Sequence, residues 1–95
     1  LKPQTLAEVN SQCQARSQEI SSRYTRELDG IDTEIFAIAR EGRSRTPEGE
    51  ARLNALRSQR ESIDGRSRAE RGVLVEQCEK DRAAVRAALA SAPVR

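Results

Sequence analysis

Two cysteines, Cys13 and Cys78, are the side chains of this sequence best suited to a specific covalent role. A catalytic cysteine needs a neighbouring base and an open, electropositive site that favours its thiolate. Both cysteines instead fall on the apolar stripes of two predicted helices, where each faces the partner helix. We therefore predict that they are structural residues rather than nucleophiles.

Catalysis by other side chains is not expected either. The sequence has no His, the side chain whose ordinary pKa lies nearest neutral pH. Its 15 acidic residues fall mostly outside the apolar stripes, at spacings that predict solvated ion pairs such as Glu48 with Arg52. Two thiols without His do not complete a tetrahedral metal site, and the five glycines are scattered rather than grouped in a phosphate-binding loop. The sequence predicts no enzyme, no metal or other cofactor, and no small-molecule substrate.

The composition is unusual for a globular domain, because charged residues make up 34% of the 95 residues and aromatic residues only 2%. A chain this polar is either disordered or built from long helices that need only a narrow apolar seam. Its 17 basic residues are interspersed with the acidic ones and leave a net charge of +2. Strong nucleic-acid binders carry a field of one sign, so nucleic acid is not an expected partner. No apolar run approaches the length of a membrane-spanning helix.

Apolar or small residues recur at steps of three and four through the first part of the chain, which indicates one face of a helix near heptad spacing. They are Leu6, Val9, Cys13, Ser17, Ile20, Tyr24, Leu28, Ile31, Ile35 and Ile38. Thr5 and Glu8 have the spacing of a capping box at its start, and Gly42 suits the left-handed position after its end. We place this helix at about residues 5–41.

A second helix follows a short polar turn at about residues 42–46 and covers about residues 47–91. Thr46 is its predicted N-cap and Pro47 its first helical residue, while Ser91-Ala92-Pro93 ends it. The apolar or small residues that this helix carries are Leu53, Leu56, Ile63, Val73, Leu74, Val75, Cys78, Val85, Ala88 and Leu89. Because so short a link makes neighbouring helices antiparallel, we predict an all-α fold. It is a single domain, residues 1–95, of two long antiparallel helices in a coiled-coil-like hairpin, which a second hairpin would complete as a four-helix bundle.

The two stripes agree on one register. In an antiparallel hairpin, facing residues have numbers that add up to a constant, here roughly 91, and Cys13 and Cys78 satisfy it. The same rule pairs Leu28 with Ile63, Ile35 with Leu56, Ile38 with Leu53, and Leu6 with Val85. We therefore predict a Cys13–Cys78 disulfide and, from it, a periplasmic or secreted protein. The alternative is a cytoplasmic coiled coil with two buried thiols.

Two surfaces are candidates for binding. The middle of the second helix is poor in apolar residues, so part of the first stripe is left uncovered, and three other apolar residues point away from the seam. Together these candidate interface residues are Ile20, Tyr24, Ile31, Phe36, Val73 and Val75. Uncovered apolar surface is typical of an interface, unless long Arg side chains cover it.

A basic tip at the turn comprises Arg40, Arg43, Arg45 and Arg52, among acidic residues that favour an ordinary solvated turn.

These features favour a non-catalytic exported protein that binds another protein or supports a structure, such as an adaptor, a chaperone-like holder or an inhibitor. Its expected partner is another protein or a second copy of itself, as a homo-oligomer. The alternatives are a cytosolic coiled-coil assembly or spacer element with reduced cysteines and, third, an Arg-dependent nucleic-acid accessory protein.

The chain begins at Leu1 rather than Met, as expected of a processed product or a fragment. Membrane contact is expected only at the Arg-rich tip or through residues before Leu1.

Overall fold

A computed structural model shows an all-α chain of two long helices joined by a short turn, as the sequence predicts. The structure describes residues 3–91. Helix α1 is Leu6–Arg40, a short 3-10 helix is Arg43–Arg45, and α2 is Pro47–Ala90. The described residues contain no strand. Of the predicted end of the second helix, Ala92 and Pro93 lie outside the described part.

The start of α1 has its predicted cap. The backbone N–H of Glu8 donates to Thr5 Oγ1 at 3.1 Å, and that of Val9 to the Thr5 carbonyl at 3.1 Å. The Glu8 carboxylate accepts from the N–H of Gln4 at 3.0 Å, one residue before the cap itself. These bonds satisfy amide groups that a helix start otherwise leaves without an acceptor.

The turn uses two glycines for different reasons. Gly42 has φ of 74°, a left-handed conformation that costs a residue with a Cβ about 1 kcal/mol or more. Gly49, in the first turn of α2, donates its N–H to Thr46 Oγ1 at 3.0 Å, and the Thr46 hydroxyl donates in turn to the Arg43 carbonyl. A Cβ on Gly49 would lie 1.7 Å from the Arg43 carbonyl oxygen. The tight junction between the turn and α2 therefore requires a glycine at position 49.

The chain divides into two compact units. The turn unit is Ser21–Arg68 and the cysteine unit comprises the described residues up to Ile20 and from Ala69 onward. The predicted count of a single domain stays a prediction, as does pairing into a four-helix bundle.

The turn unit has an apolar cluster between its two helical segments. Ile38 and Leu56, each only 1% exposed, pack with Leu53, and Ile31 and Ile35 pack against them. This places the predicted pairs Ile38 with Leu53 and Ile35 with Leu56 in one cluster. Tyr24 and Ile63 are also buried.

The cysteine unit buries four side chains, and they belong to both helices: Val9 on α1, and Leu74, Cys78 and Val85 on α2. Arg82 of α2 reaches α1, where its Nε donates to Asn10 Oδ1 at 3.1 Å. Cys13 completes this set of contacts, because it lies against Cys78.

Candidate interaction surfaces

The cysteine pair has the geometry that the register predicts. The two Sγ atoms lie 2.13 Å apart. The two Cα atoms are 6.3 Å apart, within the range of Cα separations that disulfides span. Cys78 is buried and Cys13 is half-buried. Within residues 3–91, no three His, Cys, Asp or Glu side chains come together in a way that could hold a metal ion.

An open groove of about 420 Å³ runs beside the cysteine pair in the cysteine unit. Its lining is Asn10, Cys13, Gln14, Ser17, Leu74, Val75, Cys78 and Arg82. Arg82 is the one charged residue in that lining, and its guanidinium is engaged by Asn10 and by Glu79, the latter at 3.0 Å. The groove thus offers a mostly neutral surface with Val75 exposed at its edge.

The six candidate interface residues differ in their exposure to solvent. Phe36, Val73 and Val75 are 66%, 65% and 60% exposed, as apolar side chains directed away from the seam should be. Ile20 and Ile31 are half-buried, and Ile31 packs against the apolar cluster of the turn unit. Leu89, which is not among the predicted interface residues, is also exposed, at 61%.

The prediction that Tyr24 is uncovered is wrong, because its side chain is buried in the hairpin itself. The guanidinium carbon of the adjacent Arg23 lies 5.2 Å from the Tyr24 ring centroid, a distance suited to a cation–π contact. The register also places the small Ser67 opposite Tyr24, which leaves space for an aromatic ring. The alternative, that long Arg side chains cover part of the stripe, stays a prediction.

The basic tip is partly neutralised. Arg52 makes a two-pronged ion pair with Glu34 across the helices, with Nε–Oε2 at 2.5 Å and Nη2–Oε1 at 2.9 Å. This hydrogen bond holds the pKa of the Glu34 carboxyl below its ordinary value and raises the pKa of Arg52. Arg43 pairs with Glu41 at 2.7 Å. The predicted pairing of Arg52 with Glu48 is wrong. The planar guanidinium of Arg52 instead binds the Glu34 carboxylate, which can accept two parallel hydrogen bonds from it.

The other two arginines of the basic tip are exposed. The Arg40 guanidinium carbon lies 5.7 Å from the centroid of the Phe36 ring, so a cation and an aromatic face occur together on the surface of α1. Arg45 belongs to the 3-10 helix. All four arginines of the tip are exposed, but within residues 3–91 only Arg43 and Arg52 among them form ion pairs.

Two further ion pairs connect the helices of the turn unit. Arg60 pairs with Asp32, whose hydrogen bond raises the pKa of Arg60, and Arg66 pairs with Glu27 at 3.5 Å. Neither of these pairs is among the sequence-based predictions. The spacing of both pairs fits the predicted register to within two residues, so the register was the signal that could have found them.

No helix among the described residues is long and apolar enough to cross a membrane. Comparison of the chain with models of known protein families, with curated proteins and with solved structures finds no match.

Proposed function

We propose that this chain is a non-catalytic, exported helical-hairpin protein that binds another protein chain through apolar side chains on its outer surface. The observation that carries the proposal is Phe36, an aromatic side chain 66% exposed beneath the guanidinium of Arg40. Aromatic residues and Arg are enriched in the centres of protein interfaces, where they contribute most of the binding energy. An adaptor, a chaperone-like holder and an inhibitor all fit this description.

The groove of the cysteine unit supports the same proposal. Val73 and Val75 are exposed near Leu74, which is buried, so α2 presents apolar atoms on both sides of its packed face. Such residues cost little as single exposed side chains, and they become useful when a partner covers them. The proposal assigns binding to Phe36 on α1 and to Val75 on α2.

Export is supported by the cysteine pair. A disulfide persists in oxidising compartments and is rare in the cytosol, and the two Sγ atoms are at bonding distance. The alternative function is a cytosolic coiled-coil assembly or spacer element. Trapping the thiols in intact cells with an alkylating reagent separates the two: an oxidised pair fits export, whereas two alkylated thiols fit the assembly element and contradict export.

Site-specific photo-crosslinking tests the binding function. A photoreactive residue is placed at Phe36 or Val75 in the full chain, expressed in the cells that produce it, and the crosslinked polypeptide is identified by mass spectrometry. The matched control positions are Ser58 and Glu61, which are exposed polar residues. We expect one defined protein product from Phe36 or Val75 and none from the controls. Equal, diffuse labelling from all four positions would contradict the proposed function.

A further inference from the structure

One stripe on the outer surface of α1 has the spacing of a helix–helix contact. Asp29, Thr33, Phe36 and Arg40 follow one another at steps of four, three and four, the pattern by which coiled-coil helices face a partner. We call these four residues the outer stripe. All four lie in the turn unit, and a shallow open groove of about 600 Å³ runs along them, with Asp32 and Ala37 also in its lining.

The outer stripe is not used by the hairpin. At about 100° per residue, Asp29 and Arg40 lie within a narrow sector that points well away from Ile31, Ile35 and Ile38, which pack toward α2. Phe36 is accordingly the exposed large apolar side chain of the turn unit. A change on this stripe leaves the apolar cluster of the turn unit intact.

The charges of the outer stripe are ordered along the helix. Asp29 is at its N-terminal end, and no described residue forms an ion pair with it. Arg40 is at the C-terminal end, roughly 16 Å further along, and its guanidinium lies over Phe36 rather than on a carboxylate. The nearby acid Asp32 is held by Arg60. The stripe therefore presents the Asp29 carboxylate at one end, the Arg40 guanidinium at the other, and the Phe36 ring between them. Neither charged group is used by an ion pair within the described residues.

Such a stripe is complementary to a reversed copy of itself. We propose that a second copy of this chain docks on the outer stripe, with the two α1 helices antiparallel about a two-fold axis. Arg40 then meets Asp29 of the second copy, twice by symmetry, and Phe36 packs over Thr33 of the second copy. A two-fold interface must be self-complementary in this way, whereas parallel packing would set like charges against each other. The inference rests on the proposed function, since it identifies the partner that the exposed Phe36 binds.

Charge reversal on single chains and on their mixture tests the docking geometry. The Asp29→Arg variant carries two arginines on the stripe, and the Arg40→Asp variant carries two aspartates. The self-association constant of each variant should therefore fall by about tenfold or more. An equimolar mixture of the two variants restores both Arg–Asp contacts and should form a heterodimer of wild-type strength. Phe36→Ala should weaken the wild-type dimer by at least about thirtyfold, as an interface centre does.

Sedimentation equilibrium on full-length protein, from micromolar to about millimolar concentration, measures these associations. Circular dichroism serves as the folding control, because the outer stripe lies outside the seam and all variants should keep the wild-type helicity. A matched pair of substitutions off the stripe, Glu61→Arg and Arg57→Asp, should leave the association constant unchanged.

Three results overturn the inference. They are a wild-type chain that stays monomeric over the whole range, single charge variants that associate as strongly as wild type, and a variant mixture that fails to associate. If the chain is monomeric but Phe36 crosslinks to a different protein, the partner assigned here is wrong while the proposed function stands. If Phe36 crosslinks to nothing, the proposed function fails as well.

Discussion

The turn unit and the cysteine unit are built from the same two helices, but different interactions join the helices in each. In the turn unit, Ile38, Leu53 and Leu56 form a buried cluster, and Arg52, Arg60 and Arg66 reach carboxylates on α1. In the cysteine unit the buried side chains are smaller on average, with two valines among them, and Arg82 reaches a neutral acceptor. The cysteine unit has in addition the covalent link between Cys13 and Cys78.

A crosslink is most useful in a fold whose core is small. Two helices bury little apolar surface, and small cores need an additional constraint to remain folded. The disulfide has a sequence separation of 65 residues, so it closes a long loop and restricts the unfolded chain strongly. If this explanation is right, removing the crosslink and removing the apolar cluster should damage different units.

The largest expected effect follows from removing the crosslink. The double variant Cys13→Ala, Cys78→Ala should lose about 4 kcal/mol of unfolding free energy. Without the crosslink, the unfolded chain regains the conformational entropy that the closed loop removes. Urea denaturation followed by circular dichroism measures the loss. Ser11→Ala is the control, an exposed position on α1 expected to change little. A double variant as stable as wild type would mean that the bond does not stabilise the protein.

The next effect is expected in the turn unit. Leu56→Ala should cost about 3 kcal/mol, since it removes apolar contacts and leaves a cavity at a side chain that is 1% exposed. Leu89→Ala is the matched control, because Leu89 is 61% exposed and its truncation should stay within about 0.5 kcal/mol. Equal losses for the two leucines would refute the assignment of the apolar cluster.

Glycine substitutions should have opposite signs at two positions. Gly49→Ala should destabilise the fold by about 2 kcal/mol, because its Cβ would overlap the Arg43 carbonyl oxygen at the junction with α2. Gly65→Ala should stabilise it by about 1 kcal/mol, since Gly65 is in the α2 interior with open space around the new Cβ. Thermal unfolding of both variants checks the signs, and a Gly49→Ala protein at least as stable as wild type would contradict the turn geometry.

The smallest effect concerns pH. The Arg52 hydrogen bond lowers the folded-state pKa of Glu34 below its ordinary 4.5. Glu34 therefore contributes stability that is complete above pH 4.5 and is lost as the pH falls through the lowered value. Wild type should be slightly more stable than Glu34→Gln at pH 7, and the difference should vanish in acid and shrink in high salt.

Glu61→Gln, at another exposed acid, is the control for the pH series. Its difference in stability from wild type should not shrink as the pH falls. A constant difference between wild type and Glu34→Gln from pH 7 down to pH 2 would exclude the ion pair as the cause.

The sequence predicts the hairpin well because its signals are local and repeated. Thr5 with Glu8 and Thr46 with Pro47 indicate where the helices begin, and the spacing of the apolar stripes sets their faces. The register then follows from a short turn and places Cys13 opposite Cys78. Each of these inferences depends on neighbouring residues in the sequence or on the period of the helix, and not on the choice among distant partners.

The surface could not be predicted as well, because it depends on which of several reachable partners a flexible side chain selects. Arg52 is within reach of Glu48 on its own helix, yet it binds Glu34 across the seam. Tyr24 belongs to a thinly covered part of the stripe, yet the hairpin buries it. The need for glycine at position 49 arises from close approaches to the Arg43 carbonyl and to Thr46 Oγ1, which no local pattern indicates.

Hydrogen–deuterium exchange of the native protein, compared with protein that has been reduced and alkylated, tests the difference between the two units most directly. We expect reduction to accelerate exchange in peptides of the cysteine unit, up to Ile20 and from Ala69 onward, while peptides covering Ser21–Arg68 keep most of their protection. Unchanged protection in the cysteine unit, or an equal loss in both units, would contradict it.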